Sequence, residues 1–196
     1  MAFDQAFAAQ WPARYGNPMY STTFATALGE FALVWTGRGV RRVLLPGGEP
    51  AEVAERLAKM GAEPGTPDRA IARLLDQIED YAEGERVDFS EAALDLDGVP
   101  DFHRRCYDIL LTIGWGETST YGAIARHLGE VGLSRAVGQA MGANPIPLII
   151  PCHRVLAAGG RAGGFSAPGG TSAKRTMLAL EGVSMGAPPG QMQFAF

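Results

Sequence analysis

Residues 144–155 read Asn-Pro-Ile-Pro-Leu-Ile-Ile-Pro-Cys-His-Arg-Val, and no other stretch restricts the fold as tightly. Pro145, Pro147 and Pro151 each fix φ and remove a backbone donor, so the spacing predicts a stiff, extended segment and not a helix. The apolar run ends on a thiol, Cys152, held between a proline and the imidazole of His153. The thiolate is the reactive form of cysteine, and a neighbouring base or positive charge makes it accessible near neutral pH. Cys152 is therefore either a positioned nucleophile or a buried structural cysteine of the common kind.

The rest of the chain narrows that choice. Its 196 residues allow one large domain or two small ones, with a substantial core in either case. Two cysteines, Cys106 and Cys152, cannot build a four-cysteine zinc site, and nothing near them has ligand spacing, so no metal and no cofactor are expected. The start, Met1-Ala2-Phe3-Asp4, lacks a basic n-region, and no apolar run reaches membrane-spanning length. The expectation is a cytoplasmic protein with reduced thiols and no membrane contact. A net charge of −4 argues against general nucleic-acid binding, but the charge is uneven. Residues 1–100 carry 9 Lys and Arg against 16 Asp and Glu, and residues 101–196 carry 8 against 5. The basic half permits a phosphate-binding face without establishing one.

In chain order, residues 1–20 show no period and read as a loosely packed lead-in. From Thr22 to Leu45, apolar alternation between glycine turns predicts two or three antiparallel strands. Helices are expected over 50–60, with Val53, Leu57 and Met60 on one face, and over 67–81, with Ile71, Leu74, Leu75, Ile78 and Tyr81 at helical spacing. Asp68 suits the dipole at the start of the second. Residues 84–100 read as a short strand and linker, with a domain boundary near residue 98. Histidine is absent before that boundary, the carboxylates fall on solvated helix faces, and residues 1–98 read as scaffold.

Beyond it, a helix is expected over 100–113, with Cys106 and Tyr107 on its apolar side. Thr120 is a cap candidate for a helix over 120–128, stopped by Gly129, and a third helix runs from Arg135 to about Gly142. Two short helices joined by a glycine-containing turn form either a DNA-binding helix-turn-helix or a structural hairpin. The third helix is built of small residues, from Ala136 to Ala143. It suits close packing against a neighbour, or insertion into a minor groove with Arg135 projecting. The glycine-rich residues 157–170 let backbone approach a ligand closely, and no Gly-Lys-Ser/Thr follows to make a phosphate loop. Thr171 can cap a last helix ending at Glu181-Gly182, and residues 184–196 read as a tail.

Taken together, Gly116-Glu117-Thr118 with Tyr121-Gly122, Arg135-Ala136-Val137-Gly138, Ala143-Asn144-Pro145, Ile150-Pro151-Cys152-His153-Arg154-Val155 and Glu181-Gly182 make an ordered pattern over more than 80 residues. It resembles the active-site domain of the O6-alkylguanine-DNA alkyltransferases, also called methylated-DNA–protein-cysteine methyltransferases. The resemblance implies an α+β protein. Residues 1–98 would form a small antiparallel-sheet-plus-helix domain, residues 99–183 a mainly helical, winged helix-turn-helix-like DNA-binding and alkyl-acceptor domain, and residues 184–196 a tail.

The function so implied is DNA repair by direct reversal. The alkyl group of O6-alkylguanine, with O4-alkylthymine as a second candidate substrate, passes irreversibly to a cysteine, once per molecule. By this resemblance Cys152 is the acceptor, His153 takes its proton by way of a water, and Glu181 orients the histidine. Tyr121 contacts the flipped base and its phosphate, and Arg135 fills the vacated stack. Asn144 is a hinge, Ser166 lies near the base O6, and backbone around Cys152 and Val155 reads the guanine amino group. The implied partner is duplex DNA bearing alkylated guanine, bound by a monomer without an obligate protein partner. Phe165 stands where many relatives have tyrosine, residues 167–170 lengthen the pocket loop, and Tyr107 replaces a common tryptophan. The lack of any cysteine before Cys106 implies no N-terminal zinc site. Two other readings stay open. One is a lesion-binding relative without catalysis, which would usually lack the cysteine. The other is a helix-turn-helix regulator or redox sensor with Cys152 as a thiol switch.

Overall fold

A computed structural model of the chain describes residues 17–129 and 132–184. The lead-in therefore lies outside the described residues up to residue 16, as does the tail from residue 185. The fold is α+β.

The glycine-punctuated stretch forms three antiparallel strands, β1 (Met19–Thr26), β2 (Gly29–Thr36) and β3 (Gly39–Leu44). Gly39 has φ +129°, and a Cβ there would fall 2.2 Å from the Ala93 carbonyl oxygen, so the turn requires glycine for both conformation and space. β2 is buried from Phe31 to Thr36 because both its faces are covered. Phe31, Leu33 and Trp35 face the main core, while Ala32 and Val34 meet Val53 and Leu57 of helix α1 (Pro50–Lys59), as period-two alternation requires. A three-residue strand, β4 (Ala62–Pro64), pairs parallel to β1 and sets the order β3-β2-β1-β4. Its sequence, Ala-Glu-Pro, carries no strand pattern, and the strand forms only by pairing with the β1 edge.

Helix α2 (Arg69–Ala82) buries Ile71, Leu74, Ile78 and Tyr81 against the main core. Asp68 is its N-cap, accepting from the amides of Ala70 and Ile71 at 2.9 Å each, a direct cap and more than a dipole effect. The short strand expected within residues 84–100 does not form; the segment makes a single bridge, Leu94 to Val40. Acidic and glycine residues disfavour a strand here, and side chains anchor the segment instead. The buried Asp95 carboxylate accepts from Thr36 Oγ1 at 2.8 Å and pairs with Arg38 and Arg41 at 3.2 and 3.1 Å.

The second half opens with α3 (Asp101–Leu111), followed by α4 (Tyr121–His127) and α5 (Ser134–Gly142), the expected helix-turn-helix. Thr120 Oγ1 accepts from the Ala123 amide at 3.1 Å, and Gly129, at φ +72°, follows the end of α4 as expected. The small residues of α5 admit α3 closely, since Tyr107 donates its hydroxyl to the Ala140 carbonyl at 2.9 Å. α5 packs through Val137, Ala140 and Met141 and leaves Arg135 and Gln139 exposed. A two-residue parallel ladder joins β5 (Ser119–Thr120) to β6 (Val155–Leu156). The last helix, α6 (Gly170–Leu180), is capped by Gly169 at φ +76° and not by Thr171, which lies in its first turn. Only glycine enters that left-handed cap without strain, so it displaces the side-chain cap expected from Thr171. One buried cluster takes residues from β2, β3, α2, α3, α4, α5, the 146–155 segment and α6, and so crosses the expected boundary near residue 98. No helix among the described residues is long and apolar enough to cross a membrane.

Candidate active site

The proline-punctuated segment is stiff, but it folds back on itself instead of extending. Asn144 clips both ends: its Nδ2 donates to the Ile150 carbonyl at 2.8 Å and its Oδ1 accepts from the Ile146 amide at 3.0 Å. The Pro145 carbonyl accepts from the Val43 amide of β3 at 3.1 Å. Between the clips Leu148 is held at φ +79°, a conformation that costs a non-glycine residue about 1–3 kcal/mol. Burial of Ile146, Leu148 and Ile150 stabilises the turn against that strain.

The segment ends in a single 3-10 turn, Cys152–Arg154. Successive residues of such a turn are about 120° apart, so the three side chains splay. Cys152 lines a cleft, whereas His153 and Arg154 turn inward to Glu181 at the end of α6. His153 Nε2 lies 2.8 Å from Glu181 Oε1, and Arg154 grips the same carboxylate through Nε at 2.8 Å and Nη2 at 3.0 Å. Arg154 Nη1 also donates to the Ile113 carbonyl. Burial alone would raise the Glu181 pKa, but the hydrogen bonds from His153 and Arg154, then their charges, outweigh it and hold the group at about 2. An ionised carboxylate only accepts, so Nε2 of His153 carries the proton and Nδ1 presents a lone pair. Nδ1 has no hydrogen-bond partner among the described residues. Complete burial, with help from Arg154 and Lys174, pushes the His153 pKa down against the opposing effect of Glu181. The imidazole is thus neutral and ready to accept.

The cleft has a volume of about 900 Å³, within the range of small-molecule sites. Tyr121, Arg126, Arg135, Gly138, Cys152, Phe165 and Ser166 are among its walls. Cys152 is only 5% exposed. Burial raises its pKa, and a hydrogen bond from Asn144 and the charge of Lys174 act in the other direction. Tyr121 donates to the Gly164 carbonyl at 3.3 Å, and Ser166 donates to the Gly142 carbonyl at 3.0 Å. Among the described residues no group of three or more His, Cys, Asp or Glu could hold a metal ion.

A family model described as "6-O-methylguanine DNA methyltransferase, DNA binding domain" matches residues 101–183. The methylated-DNA–protein-cysteine methyltransferase of Methanothermobacter thermautotrophicus is 36% identical over 156 residues, covering 80% of this chain and 81% of the relative. The chain belongs to the methylated-DNA–protein-cysteine methyltransferase family. A second member, from Mycobacterium tuberculosis, is 47% identical over 117 residues, covering 59% of this chain and 68% of the relative. The crystal structure of the Mycobacterium tuberculosis protein titled OGT in complex with DNA superposes with a TM-score of 0.66 at 35% identity, covering 83% of this chain and 92% of that one.

Within this methyltransferase, the structure gathers Cys152, Tyr121, Arg135 and Ser166 around one cleft and sets His153 and Glu181 behind it. Asn144 clips the segment that carries the thiol. Val155 is not among the cleft walls: it is fully buried, and its carbonyl accepts the Lys174 ammonium. Three residues of the site escaped the sequence reading. Lys174 is fully buried with its Nζ 5.9 Å from the centre of the Tyr121 ring, and burial pulls its pKa down to about 8. A signal existed, because Lys174 stands three and four residues before Met177 and Leu178, on the packing face of α6. Arg154 lies inside the motif, but its grip on Glu181 depends on a partner 27 residues away that the motif does not mark. Tyr81 was read as core, and nothing local indicates that its hydroxyl meets Glu181, 100 residues later.

Proposed function

We propose that this chain repairs O6-alkylguanine in duplex DNA by moving the alkyl group to Cys152, acting as a monomer in the cytoplasm and reacting once per molecule. The observation that carries the reading is a thiol lining a purine-sized cleft beside a helix-turn-helix, backed by a buried His153–Glu181 pair. The alkyl carbon lies inside a duplex, so the base has to leave the stack to reach the cleft. Exposed Arg135 on α5 is suited to occupy the gap, and Tyr121 at the cleft wall to contact the extruded nucleotide.

The Cys152 thiol gives its proton to His153 Nδ1, through an intervening water, and the S–H electron pair stays on sulfur. Glu181 holds Nε2 and stabilises the imidazolium. Sulfur then attacks the alkyl carbon, a C–S bond forms, the C–O6 bond breaks, and its electron pair passes into the guanine ring. Tyr121 and Ser166 on the cleft wall supply hydroxyls suited to support that charge. The thiol proton finally reaches the guanine, which leaves restored. The thioether offers no bond to hydrolyse, and this supports a stoichiometric reaction. Asn144 keeps the thiol-bearing loop closed, and Val155 supports the cleft from behind through Lys174. O4-alkylthymine, with the same alkyl–oxygen bond, is a candidate second substrate.

Incubation with a duplex containing one O6-methylguanine should add the mass of one methyl group to the Cys152 peptide. Cys152→Ala should still bind that duplex and leave the lesion intact. An unmodified Cys152 peptide together with tight lesion binding would replace this reading with non-catalytic recognition.

A further inference from the structure

We propose that Tyr81, contributed by the N-terminal half, is a positioning residue for the proton relay, and that its hydroxyl sets the basicity of His153 through Glu181. The inference rests on the alkyl-transfer reading above and deepens it. Residues 1–98 read as scaffold in the sequence, yet α2 delivers one polar atom into the site. Tyr81 is fully buried, and its hydroxyl lies 3.1 Å from Glu181 Oε1. That oxygen is the one that accepts His153 Nε2. The Met177 carbonyl is a more distant second acceptor at 3.4 Å. The ring cannot drift. Trp115 meets it edge-on at 5.4 Å between centroids, and the His153 ring meets it at 6.5 Å and 72°.

The chemistry follows from sharing one oxygen. Each donor to Oε1 draws charge from it and weakens its attraction for the imidazolium that forms when Cys152 loses its proton. The charged and titratable groups around His153 are Glu181, Arg154, Lys174, Cys152 and Tyr81. Glu181 favours the imidazolium, and Arg154 and Lys174 oppose it. Tyr81 is the one neutral donor in this set, and it stays protonated because burial and then the Glu181 charge push its pKa well up. It therefore trims the pull of Glu181 without adding a charge. In the relay the Cys152 S–H bond breaks, the proton moves to His153 Nδ1, and the Nε2 proton remains with the imidazolium, shared with Glu181. Tyr81 touches neither sulfur nor substrate.

Tyr81→Phe keeps the ring and removes only the hydroxyl. In the full chain, the His153 titration, followed by NMR with ¹³C-labelled histidine, should move up by roughly one pH unit. The acid limb of single-turnover methyl transfer from an O6-methylguanine duplex should move up by the same amount, and the plateau rate above it should rise roughly threefold, because the more basic imidazole takes the thiol proton more readily. A variant that loses thermal stability but keeps the wild-type titration and rate profile would reduce Tyr81 to a core residue and overturn the proposal. Should Tyr81→Phe fail to fold, 3,5-difluorotyrosine at position 81 preserves the shape and strengthens the donor. Both readouts should then move down, and no movement overturns the proposal equally. The wild-type protein separates the two levels: absence of methyl transfer there would remove the alkyl-transfer reading itself, whereas transfer insensitive to position 81 removes only this inference.

Discussion

Glu181 is the residue on which most of the buried polar chemistry converges, and its charge should be visible in stability. Its folded pKa of about 2 lies below the ordinary 4.5, so its contribution is complete above pH 4.5 and is lost as the pH falls toward 2. The shift is worth about 3 kcal/mol, and urea unfolding at pH 6 and pH 3 should differ by about 2 kcal/mol from this group alone. Glu181→Gln should be less stable at pH 6, because Arg154 is left buried without its partner, and its stability should change much less between those two pH values. Lys174 gives a second residue-scale test. Lys174→Met removes the buried cation whose charge lowers the Cys152 pKa. It should raise the pH needed for iodoacetamide to alkylate Cys152 and slow methyl transfer by roughly tenfold at pH 7; an unchanged alkylation profile would take Lys174 out of the site's electrostatics.

Elements were legible where one local cause decided them. The strands β1 to β3 announced themselves by alternation between glycines, and α2 by its apolar face and Asp68 cap. Asp68→Ala should therefore lower stability by about 1 kcal/mol through the cap alone, read as a lower urea midpoint with an unchanged slope. What stayed hidden had causes outside the segment. β4 exists only because β1 offers it an edge, and residues 84–100 forgo a strand because Asp95 is anchored by Thr36, Arg38 and Arg41. The pocket loop shows the same dependence. Gly163 has φ +66°, and a Cβ there would come within 3.0 Å of the Tyr121 ring. The glycine-rich composition revealed that backbone must approach something, but not that the neighbour is the tyrosine at the cleft wall. Gly163→Ala should displace that ring and slow methyl transfer more than it lowers the melting temperature.

Across the whole molecule, the linear order of the chain suggests two domains and the packing argues for one cooperative unit. Cys152, His153 and Glu181 could be picked out from a motif, but a motif cannot reveal that their support crosses residue 98. The main core joins Leu33 and Ile78 of the first half to Tyr107, Ile149 and Met177 of the second. The Val43 amide bonds the Pro145 carbonyl, and Tyr81 reaches Glu181. A fragment of residues 99–184 would expose the apolar wall that β2, β3 and α2 now cover and would leave the Glu181 cluster open to water on one side. We expect calorimetry of the full chain to give a single transition with equal calorimetric and van't Hoff enthalpies. The fragment should melt broadly and transfer methyl groups slowly even where it still binds DNA. Two resolved transitions in the full chain, or a fragment as reactive as the whole, would mean that the N-terminal half is a dispensable neighbour and not a support of the Glu181 cluster.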